Sequence, residues 1–221
     1  MAAVLKIGGS LSENPANLTE LCHRLSDFAK VHKMVIVPGG AEFADTVRKI
    51  NKKYRLSNEV THKMAILAMD QYGLLLSDTI SESYVTSDLK DVNKISKGKI
   101  PIFLPSQVMF HEDPLENSWD VTSDSIAAYV AGELQAEKLV LVTDVDGIFL
   151  EAPKTRKTKL FETLTAKELQ SWNKRTSVDK TLPKMLQQIK MKCYVVNGNH
   201  PERIKHILEN KKTVCTQITS Y

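Results

Sequence analysis

Short, mostly apolar runs recur along this chain at residues 4–7, 34–37, 100–104, 138–143, 193–196 and 213–218. Between them lie segments whose apolar residues follow the three-to-four spacing of a helix. Runs of four to six residues suit strands, and strands apolar throughout, rather than at every second residue, must be covered on both faces. Strands of that kind alternating with helices specify an α/β protein with a mostly parallel sheet between helical layers. The first helix is expected from an Asn17 cap onward, with Leu18, Leu21, Cys22, Leu25, Phe28 and Ala29 inward. Further helices are expected over 41–53, 58–78, 123–134 and 201–208, the second of these turning Val60, Met64, Leu67, Ala68 and Leu75 to the core. Thr165 and Glu168 form a capping box for another helix, and Pro183 suits the first turn of one running to residue 191.

At 221 residues the chain is one domain of ordinary size, or two lobes sharing a core. An apolar share of 42% and a charged share of 25% exclude a disordered or fibrous chain. No run is long enough to span a membrane, and the opening residues lack the pattern of a secretory signal. Cys22, Cys193 and Cys215 are odd in number and far apart, so they read as small apolar residues in a reducing cytoplasm. The net charge of +4 is too small to argue for nucleic acid. Its distribution is uneven: residues 151–192 carry eleven lysines and arginines against four acidic residues, which leaves the remainder net acidic. Most of these form a solvated basic surface, and a small polyanion such as ATP needs only a few of them.

Val4-Leu5-Lys6-Ile7-Gly8-Gly9-Ser10 is the most informative segment. An unpaired ammonium is costly inside a buried strand, so Lys6 should face an anion or lie near an edge with its head in water. Two glycines directly after it let the backbone turn sharply and approach a ligand with its N–H groups exposed. Pro38-Gly39-Gly40 repeats the device after the next strand and opens a helix, whose positive end also suits an anion. One Gly-Gly turn is commonly only a turn. Two on successive parallel strands, one preceded by an in-strand lysine, point to a phosphate site. The spacings match neither the P-loop nor the dinucleotide fingerprint.

Three further segments carry a plain and a functional reading. In Asp120-Val-Thr-Ser123-Asp124, Thr122 or Ser123 caps a helix and Asp124 complements its dipole, or Asp124 holds lysine ammonium groups in place. Thr143-Asp144-Val-Asp146-Gly147 is a turn after a strand, or part of a ligand loop. Asp179-Lys-Thr-Leu-Pro-Lys184 puts a lysine at a helix start, the unfavourable end for the dipole, which a bound anion would offset. The six histidines read as surface or capping residues.

These segments, in this order, resemble the amino acid kinase superfamily, which includes acetylglutamate, aspartate, carbamate, uridylate and isopentenyl phosphate kinases. Within it, Pro38-Gly-Gly-Ala-Glu-Phe-Ala-Asp45, Ser118-Trp-Asp-Val-Thr-Ser-Asp-Ser125 and Tyr194-Val-Val-Asn-Gly-Asn-His-Pro-Glu-Arg203 are similar to the methanofuran-biosynthesis kinases of methanogens, which phosphorylate 5-(aminomethyl)furan-3-yl methyl phosphate. The resemblance implies a three-layer αβα sandwich, with an acceptor lobe over 1–137 and an ATP lobe over 138–221. It implies catalytic roles for Lys6, Asp124 and Lys184, and phosphate contacts from Gly8, Gly9, Ser10, Gly39 and Gly40. Thr143, Asp144, Asp146 and Gly147 match the nucleotide loop, and Asp120, Ser123 and Glu42 fall on the acceptor side. Glu42, Asp45 and Asp70 are the carboxylates available to an acceptor ammonium. One departure stands out: Ala41 occupies the place of a third glycine in many relatives. ATP with Mg2+ held by phosphates and water, a small phosphorylated acceptor, no protein-held metal, a homo-oligomeric assembly and a cytoplasmic location complete the expectation.

Overall fold

The structure, a computed structural model, describes residues 3–94, 96, 98–150 and 159–220. The loop beginning Glu151-Ala-Pro-Lys154 and the basic residues Arg156 and Lys157 lie outside them. In chain order the N-terminal elements are β1 (Ala3–Ile7), α1 (Pro15–Ala29), β2 (Met34–Pro38), α2 (Ala41–Tyr54), α3 (Asn58–Thr79), β3 (Ser83–Thr86), α4 (Leu89–Asn93), β4 (Ile100–Phe103), α5 (Ser106–Glu112) and α6 (Ser123–Glu133). There follow β5 (Lys138–Thr143), β6 (Ile148–Phe149), β7 (Leu160–Phe161), β8 (Thr163–Thr165), α7 (Ala166–Ser171), α8 (Leu182–Ile189), β9 (Lys192–Asn197), α9 (Pro201–Leu208) and β10 (Thr216–Thr219).

Eight strands form one sheet in the order β3-β4-β2-β1-β5-β9-β10-β8, and only the β9–β10 pair is antiparallel. β6 and β7 form a separate two-stranded ribbon. β1 is central, flanked by β2 and β5. Alternation along β1 divides the core: Ala3, Leu5 and Ile7 pack with α1 and α9, while Val4 faces α6 and α8 on the other side. The three-layer αβα expectation holds. Lys6 shares the parity of Val4, so the pleat itself aims its ammonium at α6.

The chain leaves β1 toward β2, whereas β5 joins the opposite edge of β1. The carboxyl ends of β1, β2 and β5 therefore meet at a reversal of strand order, where open α/β sheets bind ligands. Ile7, Pro38 and Thr143 end there, so both glycine turns and the Thr143 loop converge.

Several local expectations need correction. Asn14, not Asn17, caps α1: its side chain accepts from the Asn17 N–H, and Pro15 occupies the first turn. A 3-10 turn over Gly9–Glu13 fills the approach to that helix. On α3, Val60, Leu67 and Leu75 are exposed, and the buried face is Ile66, Met69, Tyr72, Gly73 and Leu76 with Ala68. Apolar residues lie nearly all round this helix, so two stripes satisfy the same spacing. β3, α4 and α5 have no strong periodicity, and β3 is only half-buried at the sheet edge. The Thr165–Glu168 capping box is present with both reciprocal hydrogen bonds. Cys22 and Cys193 are buried, and burial pushes the Cys22 thiol up to about 12. Among the described residues no helix is long and apolar enough to cross a membrane.

Candidate active site

Lys6 is 9% exposed in the middle of the sheet, and its Nζ lies 2.7 Å from Asp124 Oδ1. Of the two expectations for the strand lysine, the anion is the one met: the buried Asp124 carboxylate pairs with it, so no edge position is needed. Asp124 is the second residue of α6, where Thr122 provides the cap by accepting from the Asp124 N–H. The Asp124 side chain thus turns back to the sheet. Its Oδ2 accepts the Asp179 N–H at 3.1 Å.

Asp179, which sequence reasoning treated only as a charge, is 2% exposed and takes six donors. Its Oδ2 accepts from Thr122 N–H at 2.9 Å, Thr122 Oγ1 at 2.9 Å and Ser125 N–H at 3.0 Å. Its Oδ1 accepts from Ser125 Oγ at 2.7 Å, Thr181 N–H at 3.1 Å and Leu182 N–H at 2.8 Å. Burial first, and the Asp124 carboxylate second, push its pKa up against the pull of those donors.

The glycine turns are tighter than the sequence suggests. A Cβ on Gly9 would fall 2.4 Å from the Ala41 nitrogen, and one on Gly39 would fall 2.7 Å from the Gly9 nitrogen. Each turn fills the space a side chain on the other would need. Gly39 N–H donates to the Ile7 carbonyl and Gly8 N–H to that of Val142, both at 2.8 Å. Glycine is required here by approach, not by dihedral angle. The left-handed φ, +45°, falls instead on Ala41.

Over these turns lies an open cavity of about 560 Å³. Lys6, Gly8, Gly9, Ser10 and Gly40 form its floor, and Glu42, Ser123, Asp124 and Thr143 its walls. Arg48, Arg175 and Ser177 also line it. Gly40, Ala44, Arg48, Thr122 and Ser123 are shared with a side cavity of about 60 Å³ walled by Trp119, Val121, Ile66, Met69 and His62. The Arg48 guanidinium pairs with Asp45 and lies 5.2 Å from the centre of the Trp119 ring. His62 departs from the surface reading of the histidines: it is buried, and burial lowers its pKa despite Asp113 and the Ser118 backbone.

Ser10 Oγ donates to Asp144 Oδ1 at 2.7 Å, tying the first glycine turn to the Thr143 loop. Asp146 is occupied by Arg203 at 2.6 Å and Asn197 at 3.1 Å. Burial pushes its pKa up, but these two partners pull it below the ordinary carboxylate range. Gly147 has φ +152°, and a Cβ there would meet Thr216 Oγ1 at 2.4 Å. Asp144, Asp146, Gly147 and Gly39 are not among the residues that line the cavity. Asp120 is exposed and pairs with Lys180 at 3.3 Å. Asp70 receives the Ser106 N–H at 3.3 Å, outside both cavities. Lys184 is exposed in the first turn of α8, also outside both linings. Arg48, His62 and Asp179 carry no site signal in the sequence beyond residue type, because nothing in the spacing announces which distant elements they meet, and Trp119 is marked only as part of the Ser118–Ser125 stretch.

Residues 1–197 match the profile of the amino acid kinase family. The chain is 42% identical over 219 residues to [5-(aminomethyl)furan-3-yl]methyl phosphate kinase of Methanocaldococcus jannaschii, covering 97% of this chain and 96% of that one. It is 28% identical to a uridylate kinase of Methanococcus vannielii, over 94% of this chain and 96% of that one. The crystal structure of uridylate kinase from Archaeoglobus fulgidus superposes with a TM-score of 0.79 at 21% identity, covering 99% of this chain and all of that one, a likeness of fold.

Two measurements check this geometry. Asp124→Asn strands a buried ammonium and should cost about 3–5 kcal/mol. Adding Lys6→Met should recover most of that stability while activity stays lost, read by thermal melts beside turnover assays. Equal melts for the wild type and Asp124→Asn would refute the pairing. Ala41→Gly should relieve the left-handed conformation and gain about 1 kcal/mol, a rise of about 2–4 °C in Tm for a chain of this size. An unchanged or lower Tm would show that Ala41 bears no strain.

Proposed function

The chain belongs to the amino acid kinase family and is a phosphotransferase, and from that premise we propose that it transfers the terminal phosphoryl group of ATP to a small phosphomonoester, making a diphosphate. The acceptor we propose is 5-(aminomethyl)furan-3-yl methyl phosphate, as in the relative that is 42% identical over nearly the whole chain. The observation that carries the reading is the Lys6–Asp124 pair beneath two interlocked glycine turns.

Phosphoryl transfer asks little covalent chemistry of the protein and much positioning and charge stabilisation. Lys6, held by Asp124, would meet charge developing on the transferred group, an interaction stronger in the transition state than before it. The N–H groups of Gly9 and Gly40 would fix the phosphoryl oxygens, with Ser10 and Thr143 beside them, since those of Gly8 and Gly39 are held by the Val142 and Ile7 carbonyls. A phosphomonoester has a second pKa near ~6, so it is mostly ionised at neutral pH and needs no general base. The cavity fits that demand: a lysine and glycine turns form its floor, and its walls carry Arg48 and Arg175. Magnesium would arrive on the ATP phosphates and screen their charge, with water completing its shell. Among the described residues no three metal-type side chains converge, so the chain itself supplies at most part of that shell.

On the acceptor side, Arg48 stands where the two cavities join, placed to hold the acceptor phosphate as a charge-assisted hydrogen-bond donor. The side cavity holds several times the 10–15 Å³ that one water needs, a space for a small ring between Trp119, Val121 and Met69. Glu42, at the cavity wall, is the carboxylate we assign to the acceptor ammonium. In this reading residues 1–137 carry the acceptor and 138–221 the nucleotide, joined by one sheet, with Lys184 reaching the ATP phosphates. We place the enzyme in the cytoplasm, acting on small metabolites; among the described residues no helix is long and apolar enough to cross a membrane.

The deciding assay measures ATP consumption with the furan phosphate, UMP, isopentenyl phosphate and N-acetylglutamate. Turnover confined to the furan phosphate is expected. Preference for UMP or another acceptor would move the chain to a different branch of the family, and ATP binding with no turnover would make it a sensor. Arg48→Ala should raise the acceptor KM about 10- to 100-fold, the worth of about 1.5–3 kcal/mol in a charge-assisted hydrogen bond. The KM for ATP should be unchanged; equal effects on both would withdraw the acceptor role. For assembly, Val60, Leu67 and Leu74 expose an apolar stripe along α3, which supports a homo-oligomer joined there. Leu67→Asp should lower the mass measured by light scattering, and an unchanged mass would exclude this face.

A further inference from the structure

We infer that Asp179 is a positioning residue of the phosphoryl-transfer site, a buried carboxylate that clamps the first turns of α6 and α8 together and thereby fixes the Lys6–Asp124 pair. The inference rests on the kinase reading for its activity assay and on geometry for everything else.

The clamp acts through two groups of one residue. The Asp179 N–H donates to Asp124 Oδ2 at 3.1 Å, which leaves Oδ1 of Asp124 facing Lys6 Nζ at 2.7 Å. The Asp179 carboxylate meanwhile receives N–H and hydroxyl donors from Thr122 and Ser125, on either side of Asp124. Asp124 is thus held both at its side chain and at its backbone. On the opposite oxygen, Thr181 and Leu182 N–H groups bring the start of α8 to the same carboxylate. A carboxylate has about four lone-pair sites, so six donors leave it no freedom to rotate. The positive ends of two helices converge on it, which offsets the cost of burying its charge.

This arrangement joins residues 54 to 57 positions apart and crosses from the acceptor side of the chain to the nucleotide side. Lys184 lies two residues after Leu182 in the same first turn of α8. Because α6 and α8 share one anchor, the spacing between the Lys6–Asp124 pair and the lysine of α8 is set by Asp179. Loss of the carboxylate would let α6 and α8 shift separately. The expected defect is in the rate of transfer rather than in the binding of either substrate, since neither cavity is lined by Asp179.

The test uses the full chain with ATP and whichever acceptor the wild type phosphorylates. Asp179→Asn keeps the size but places an amide N–H₂ among N–H donors. We expect kcat to fall at least 100-fold with both KM values within about threefold. Leu25→Ala, a core truncation in α1 on the opposite face, serves as a control for lost stability and should keep kcat near the wild-type value. Lysine-reactive labelling read by mass spectrometry gives a signal independent of acceptor identity. Lys6 should be shielded in the wild type and in Leu25→Ala, and labelled in Asp179→Asn. Should Asp179→Asn not fold, Ser125→Ala removes one donor only, and a severalfold loss of kcat with partial Lys6 labelling is expected. Wild-type kcat and a shielded Lys6 in either Asp179→Asn or Ser125→Ala would overturn the proposal. So would a loss in Leu25→Ala equal to that in Asp179→Asn. Failure of the wild type to turn over any acceptor would count against the kinase reading alone, because the labelling result still decides the clamp.

Discussion

A charged pair buried at the centre of a sheet is the constraint around which this molecule is arranged. Lys6 and Asp124 have side chains only 11% and 7% exposed, and taking two charges out of water costs several kcal/mol each before their attraction is counted. Such a pair persists when its geometry is good and its remaining polar atoms are satisfied. The pleat of β1 aims Lys6 at α6, Thr122 caps α6 so that Asp124 turns inward, and Asp179 occupies the second oxygen of Asp124. A stability argument alone would replace the pair by leucine and methionine. Its retention beside two glycine turns is what points from fold to chemistry.

Those turns explain why the floor of the cavity around Lys6 is largely backbone. Gly9 and Ala41 touch, and so do Gly39 and Gly9, so a side chain at either glycine would push the turns apart. Strand ends in a parallel sheet lie about 4.8 Å from one another, and two turns can close over one small anion only if neither carries bulk. The left-handed φ at Ala41 is the cost of entering α2 directly from that contact. Sequence reading attributes the glycines to turn geometry, and the contacts attribute them to the neighbouring turn.

Legibility from the sequence followed the range of the interaction. The strands, the long helices and the Thr165–Glu168 box were readable because their signals lie within a few residues. β3 and α4 were not, since half-buried edge elements need no continuous apolar run. Apolar residues surround α3, so the three-to-four spacing alone does not say which stripe is its core face, and Val60, Leu67 and Leu75 are exposed while Ala68 is buried. In the site, Lys6 and the glycines were legible as a strand-then-turn pattern, while its counter-charge was one of two readings for Asp124. Asp179, Arg48 and His62 act across 54 residues or between separate helices, and residue type alone says nothing about such partners.

The mixture of charges around the cavity bears on the kind of acceptor the site favours. A site for polyphosphate and nucleotide monophosphate needs cations throughout. Here Lys6, Arg48 and Arg175 face the same space as Glu13, Glu42 and Asp45. Exposed carboxylates beside the proposed phosphate site oppose the binding of anions, by a repulsion that solvent weakens without abolishing. An acceptor carrying both a phosphate and an ammonium would offset it, because the cations take the phosphate and a carboxylate takes the amine. An acceptor with phosphate alone would leave Glu42 without that partner, while Asp45 keeps its pair with Arg48. Under the proposed assignment the charge pattern would discriminate between acceptors by repulsion as well as by attraction, on the side of an acceptor that carries an ammonium beside its phosphate.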